Sequence, residues 1–130
     1  MSIVANNIIT FDNSNFEQYC RQLSQKDKHL RWVLQQYGMP PMWVRPARFS
    51  TLVLTILEQQ VSLASAAAAY KKLKQQIGRV TAAKIIMTSD EDLRNCYFSR
   101  QKIVYVKSLA QAVHTGELKL ASLHHIDDTE

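Results

Sequence analysis

The sequence has few of the residues that interrupt helices and few that form disulfides. It contains 3 Gly and 3 Pro among 130 residues, and all three prolines lie between Pro40 and Pro46. Because Gly and Pro mark turns and loops, their scarcity predicts long uninterrupted elements. The two cysteines, Cys20 and Cys96, are far apart and form no CxxC pair. Neither a metal site nor a redox motif built on cysteine is therefore supported, and two reduced thiols are expected.

Neither a secretory leader nor a membrane-spanning segment is expected from the sequence. Its first seven residues, MSIVANN, contain no basic stretch and no sustained apolar segment, so we expect no signal peptide. No window approaches the length and apolarity of a membrane span. The stretch 124–128 holds two His and two Asp, but adjacent His side chains in a tail rarely converge on one metal. We expect a cytoplasmic protein with no membrane partner, no metal and no cofactor.

The positive charge is concentrated in the middle of the chain. Residues 59–107 carry nine basic residues against three acidic ones, whereas residues 108–130 carry one basic residue against four acidic ones. A basic middle indicates an anionic partner such as nucleic acid, but a solvated helical surface gives the same count. Charge alone leaves these two interpretations open.

Apolar residues recur at helical spacing along most of the chain. A Ser14–Glu17 capping box predicts where the first helix begins, with a stripe that faces a core. The segment from Phe49 to Leu57 is apolar nearly all round and predicts a buried central helix that needs neighbours on most sides. Further helix starts are predicted at Ser62, Thr81, Ser89 and Ser99, and helix ends at Gly38, Gly78 and Gly116.

These patterns predict an all-α fold, a compact multi-helix bundle in a single helical domain that spans 1–130. Residues 1–13 are predicted as a loose lead-in, and residues 39–47 as a Pro-rich linker in which helix cannot continue. Residues 48–123 would form the helical core and residues 124–130 a polar tail.

Several short motifs carry a family resemblance through their order and spacing. They are ILEQQVS at 56–62 with a helix that ends at Gly78, SDEDLR at 89–94, SRQK at 99–102, LA at 109–110 and GEL at 116–118. Together they resemble the helix-hairpin-helix DNA glycosylase superfamily, and most closely its alkylbase branch, which excises 3-methyladenine and similar lesions. The resemblance covers roughly residues 45–125 and implies the N-terminal half of such a base-excision-repair protein.

The resemblance implies that the corner at Gln59 and Gln60 faces double-stranded DNA that contains a lesion. In this family a residue at the corner fills the gap left by the extruded nucleotide, and Gln60 occupies the matching position. Extrusion costs a few kcal/mol, so a side chain that fills the gap holds the flipped state. The Gln60 amide can also hydrogen-bond the orphaned partner base. The alternative is that both glutamines merely end a helix.

Three further residues are implied as DNA-binding. Ser62 is expected to cap its helix, whose N-terminus suits a phosphate. Arg100 and Lys102 lie in the family's Ser-Arg-x-Lys turn and would contact the DNA backbone, or would simply be exposed charge. This chain departs from the family at Tyr97, where Gly is usual. A Gly there suggests a positive-φ helix end that Tyr adopts only at a cost, so the turn is expected to be altered.

The family's catalytic motifs have no counterpart in the sequence. The resemblance would place a Gly-rich hairpin and a catalytic Asp after the last helix, but no Gly follows Gly116, no Gly-x-Gly occurs and no Pro follows Pro46. No catalytic residue is therefore assigned, and the chain is expected to be inactive alone. Its partners would be DNA and either a C-terminal half or a second copy. The alternatives are a non-catalytic DNA-binding domain and a helical protein–protein interaction module.

Overall fold

The computed structural model describes residues 11–125, and within this range the protein contains seven α-helices and no β-strand. The helices are α1 (Phe16–Lys26), α2 (Lys28–Tyr37), α3 (Phe49–Glu58), α4 (Leu63–Ile77), α5 (Ala82–Met87), α6 (Asp90–Asn95) and α7 (Arg100–Thr115), followed by a 3₁₀ helix (Leu120–His125). The all-α prediction is confirmed. Most of the predicted lead-in and tail, including Asp127 and Asp128, lies outside the described residues. No helix in the described range is long and apolar enough to cross a bilayer.

The chain divides into two compact units, with the boundary between Val44 and Arg45. No helix forms between Gly38 and Arg48, the stretch that holds all three prolines. Proline removes a backbone donor and restricts the residue before it, which explains the gap between helices. The single-domain assignment stays a prediction.

Helix α1 of the first unit begins differently from the prediction, because the Ser14–Glu17 capping box does not form. The Asp12 carboxylate instead accepts hydrogen bonds from the Ser14 and Asn15 backbone N–H groups and from the Ser14 hydroxyl. These hydrogen bonds lower the pKa of Asp12, and the bond from the Ser14 hydroxyl has the largest effect. Glu17 pairs with Arg21 one turn later. The capping-box prediction is wrong because a competing carboxylate lies two residues upstream of Ser14.

The predicted apolar stripes of this unit are only partly covered. Leu23, Leu30 and Val33 are all exposed, and among the described residues of α1 and α2 only Ser24 is buried. Within the described residues of this unit α1 and α2 contact each other, and two helices cover only a narrow line of each stripe. The expectation that these stripes face a core was therefore wrong for these side chains.

The second unit contains the hydrophobic core, with α3 packed against α4 and α7. Phe49, Val53 and Leu57 recur every four residues on one side of α3 and are all buried. The other apolar residues of α3, including Leu52 and Ile56, are only half-buried. The prediction of burial all round is thus correct for one side of the helix, because α4 and α7 cover that side.

Serine and threonine caps fix where the helices of the second unit begin. The predicted caps are confirmed, because each side-chain hydroxyl accepts a hydrogen bond from the backbone N–H three residues later. The four caps are Ser62, Thr81, Ser89 and Ser99. Helices α4 and α7 end at Gly78 and Gly116, both with positive φ. These local signals set the positions of the two turns that precede α4 and α7.

Candidate functional site

The corner between α3 and α4 is a sharp turn built on two glutamines. Gln59 has φ −66° and ψ 129°, and Gln60 has φ 62°. These angles match the central residues of a type II turn, whose second position ordinarily requires Gly or Asn. A non-Gly residue in the left-handed region costs roughly 1–2 kcal/mol. The protein therefore holds Gln60 in a strained conformation at the corner.

Both glutamine side chains are exposed at this corner. The Gln59 amide donates to the Thr55 carbonyl over 3.3 Å, which ties it back onto α3. Within residues 11–125 the Gln60 amide forms no hydrogen bond. Its two donors and its acceptor are therefore available to a partner.

Lys102 supports the corner from α7. Its ammonium donates to the Leu57 carbonyl over 2.7 Å, although the two residues are 45 positions apart. The last carbonyls of a helix have no partner within the helix and carry partial negative charge, so a lysine stabilises them. Lys102 thereby joins the start of α7 to the end of α3.

Arg45 forms a second support through an ion pair with Glu58, the last residue of α3. Two guanidinium nitrogens lie 2.8 and 3.0 Å from the two carboxylate oxygens. This hydrogen bonding holds the pKa of Glu58 below its ordinary value and raises that of Arg45. The pair neutralises a carboxylate that would otherwise oppose the negative end of the helix. The end of α3 is thus fixed from two directions.

A cavity of about 590 Å³ opens beside the corner. It is lined by Ile56, Gln59, Gln60, Val61, Ser99, Gln101, Lys102 and Tyr105. The structure therefore brings three of the five predicted residues together. Sequence reasoning missed Gln101 and Tyr105, whose side chains are joined by a 2.6 Å hydrogen bond from the amide to the phenol oxygen. The only signal was that Tyr105 lies off the buried stripe of α7.

The other two predicted residues lie near this cavity without lining it. Ser62 is exposed at the N-terminus of α4, where its hydroxyl accepts from the Ser65 N–H over 3.2 Å. Arg100 is exposed as the first residue of α7, next to Ser99, which does line the cavity. In the described part of the chain the Arg100 guanidinium forms no ion pair. Its charge remains available to an anion.

The turn at Tyr97 keeps the conformation that Gly would adopt, so the predicted alteration was wrong. Tyr97 has φ 67°, its N–H donates to the Arg94 carbonyl, and the Phe98 N–H donates to the Leu93 carbonyl. This is the Schellman pattern that ends helices, normally with Gly in place of Tyr97. Buried Leu93 and Phe98 stabilise the turn by packing in the core. The turn leads directly into Ser99 and the start of α7 at Arg100.

Metal binding and attack by the buried thiol of Cys96 are two chemistries that the described residues do not favour. No cluster of His, Cys, Asp or Glu within residues 11–125 could hold a metal ion. Burial raises the pKa of the Cys96 thiol, which keeps it protonated at neutral pH and makes it a poor nucleophile. The arrangement at the corner is suited to binding, since it combines exposed amides, an aromatic ring and cations.

The family follows from comparison of the sequence with known families. Residues 53–129, more than half of the chain, match the HhH-GPD superfamily of base excision DNA repair proteins. The chain therefore belongs to this superfamily, as its ordered motifs indicated.

A solved structure agrees with this assignment. The fold is similar to the crystal structure of a DNA-3-methyladenine glycosidase from Bacillus halodurans, with a TM-score of 0.70 and 28% sequence identity. The match covers 84% of this chain and 51% of the glycosidase, so the chain spans about half the length of that protein. No curated protein sequence matches the chain.

Proposed function

We propose that this chain is the DNA-facing half of an alkylbase-type DNA glycosylase, in which the α3–α4 corner meets a duplex that contains a lesion. The observation that carries the proposal is the exposed amide of Gln60, which has no hydrogen-bond partner within residues 11–125 and is held at a strained corner beside a cavity. Membership in a DNA repair superfamily and similarity to a 3-methyladenine glycosidase support it.

Gln60 would act after a damaged nucleotide leaves the stack. Extrusion opens a gap in the duplex and costs a few kcal/mol, so a side chain that fills the gap favours the extruded state. The Gln60 amide can donate to and accept from the base left without a partner. Because Lys102 and the Arg45–Glu58 pair fix the end of α3, little conformational entropy would be lost when the corner enters the duplex.

The surrounding groups would hold the DNA backbone. Ser62 and Arg100 lie at the N-termini of α4 and α7, both long helices whose free N–H groups favour phosphate. Lys102 uses one ammonium donor for Leu57 and keeps two for a phosphate oxygen. Gln59, bonded to Thr55, would lie beside the gap.

The proposal assigns no catalytic residue to this sequence. Residues 1–130 would bind DNA without excising bases, and excision would require the hairpin and Asp to be supplied by a further segment or a second chain. A helical interaction module is the alternative, because the apolar residues Leu52, Leu54 and Ile56 of α3 are only half-buried. That alternative predicts association through α3 without affinity for DNA.

Binding to two matched duplexes tests the proposal. We would measure Kd for an intact duplex and for the same duplex with a central tetrahydrofuran abasic analogue. Gln60→Ala should reduce the preference for the abasic duplex by roughly threefold to tenfold, the value of one or two hydrogen bonds. Gln75→Ala, an exposed glutamine on α4 without a side-chain partner in the described range, should leave it unchanged. Absence of duplex binding, or binding that ignores salt, would overturn the proposal.

A further inference from the structure

The Tyr97 side chain is not explained by the fold. The Schellman turn at the end of α6 needs a positive φ at position 97, and Gly supplies that conformation without strain. The ring contributes little to the core, since 65% of Tyr97 is exposed. Non-Gly residues with left-handed backbone cluster at functional sites, where the surrounding structure holds the strained conformation in place. Tyr97 and Gln60 are the two such residues in the described range.

Lys72 of α4 lies over the Tyr97 ring. Its ammonium is 4.3 Å from the ring centroid, which is a cation–π distance. Within residues 11–125 neither side chain pairs with a carboxylate. The pair therefore presents an un-neutralised ammonium next to a flat aromatic surface.

The Tyr97–Lys72 pair adjoins the corner. Tyr97 lines a cavity of about 220 Å³, and two of its other lining residues, Val61 and Lys102, also line the corner cavity. The surface that carries Gln60 therefore continues to Tyr97 across two shared side chains. A duplex that meets the corner would extend over this neighbouring surface.

We propose that Tyr97 and Lys72 bind the sugar–phosphate backbone beside the extruded nucleotide, with Lys72 donating to a phosphate and the Tyr97 ring packing on a deoxyribose. This inference rests on the proposed function. Backbone is the favoured ligand because flanking bases in a duplex stay stacked, whereas phosphate and sugar face outward. The ring also holds the ammonium in place, which reduces the entropy lost when a phosphate binds.

The salt dependence of duplex binding tests the Lys72 contact. Each phosphate contact adds about 0.9 to the slope of log Kd against log salt. Lys72→Gln should lower that slope by about one and weaken binding about fivefold at moderate salt. Lys71→Gln removes the same charge from the neighbouring exposed position, which has no side-chain partner in the described range, and should change Kd less than about twofold. Equal effects of the two substitutions would overturn the inference.

Tyr97→Gly separates binding from folding. The substitution relieves the strained φ, so the variant should resist urea as well as or better than the wild type, yet its Kd should rise at least about threefold. Tyr97→Phe keeps the ring and should bind like the wild type. An unchanged Kd for Tyr97→Gly would contradict the inference while leaving the proposed function standing. If the wild-type chain fails to bind duplex DNA, both proposals fail.

Discussion

Two strained residues define the candidate interface at the scale of single side chains. Gln60 and Tyr97 both have positive φ and both are exposed, so neither conformation is compensated by burial of the side chain. Strain of this kind persists where the surrounding structure determines the backbone, as Lys102 and Arg45 do at the end of α3. The strain therefore has measurable consequences for stability.

Gln60→Gly should stabilise the protein by about 1 kcal/mol, because Gly adopts φ 62° without the steric cost that Gln incurs. The measurement is the free energy of unfolding in urea. Gln75→Gly is the matched control, since the same change inside α4 should destabilise by about 0.5–1 kcal/mol. Destabilisation of similar size by both changes would contradict the left-handed conformation of Gln60.

Glu58→Gln should reveal a dependence of stability on pH. The hydrogen bond from Arg45 keeps the pKa of folded Glu58 below its ordinary 4.5. The contribution of the ionised Glu58 carboxylate to the unfolding free energy is therefore complete above pH 4.5, the pKa of the unfolded chain. It is lost as the pH falls through the lower pKa of the folded protein. The difference in unfolding free energy between the wild type and the variant should shrink as the pH falls from about 6 to about 3.

Glu117→Gln is the control for this titration, because Glu117 is exposed and forms no ion pair within the described range. It should show no comparable trend. A difference for Glu58→Gln that stays constant over the whole pH range would rule out the ion pair as the source of the stabilisation.

At the scale of helices, local signals were predictable and their tertiary surroundings were not. Caps such as Ser62 and Ser99 were predicted correctly, because a cap depends on residues within one turn. The predicted cap at Ser14 was wrong for the same local reason, because the Asp12 carboxylate in the same short segment accepts the Ser14 N–H. The apolar pattern of α3 predicted a helix but did not show which of its sides would be buried. Burial depends on α4 and α7, which come later in the chain.

Ser99→Ala should destabilise the second unit by about 1 kcal/mol, because the hydroxyl satisfies the Lys102 N–H at the start of α7. Thermal or urea unfolding measures this change. Ser108→Ala, an exposed site in the middle of the same helix without a side-chain partner in the described range, should be near neutral. Equal changes at both sites would mean that the cap contributes nothing.

The candidate site was predictable only in part. Gln59, Gln60 and Lys102 were predicted through the family resemblance, and the structure places all three at one cavity. The contact that fixes the corner in place was not predictable, because the hydrogen bond between Lys102 and Leu57 joins residues far apart in the chain. Tyr97 was noted only as a departure from the family, since nothing local indicates that Lys72 of α4 lies over its ring.

At the scale of the whole molecule, the order of short motifs was the most reliable guide. It indicated the superfamily that residues 53–129 match and the fold shared with the glycosidase. Net charge alone left two interpretations open, because it does not report where cations lie. The chain spans about half the length of its solved relative, and we propose that a further segment or copy covers the half-buried apolar residues of α3.

Fluorescence of 2-aminopurine in a duplex is the most direct test of the central proposal, that Gln60 fills the gap left by an extruded nucleotide and so favours the extruded state. With the probe at a mismatched position, unstacking raises its emission. We expect saturating wild-type chain to raise the emission, Gln60→Ala to raise it clearly less, and Gln75→Ala to match the wild type. Equal emission with the wild type and Gln60→Ala, or no change with either, would contradict the account.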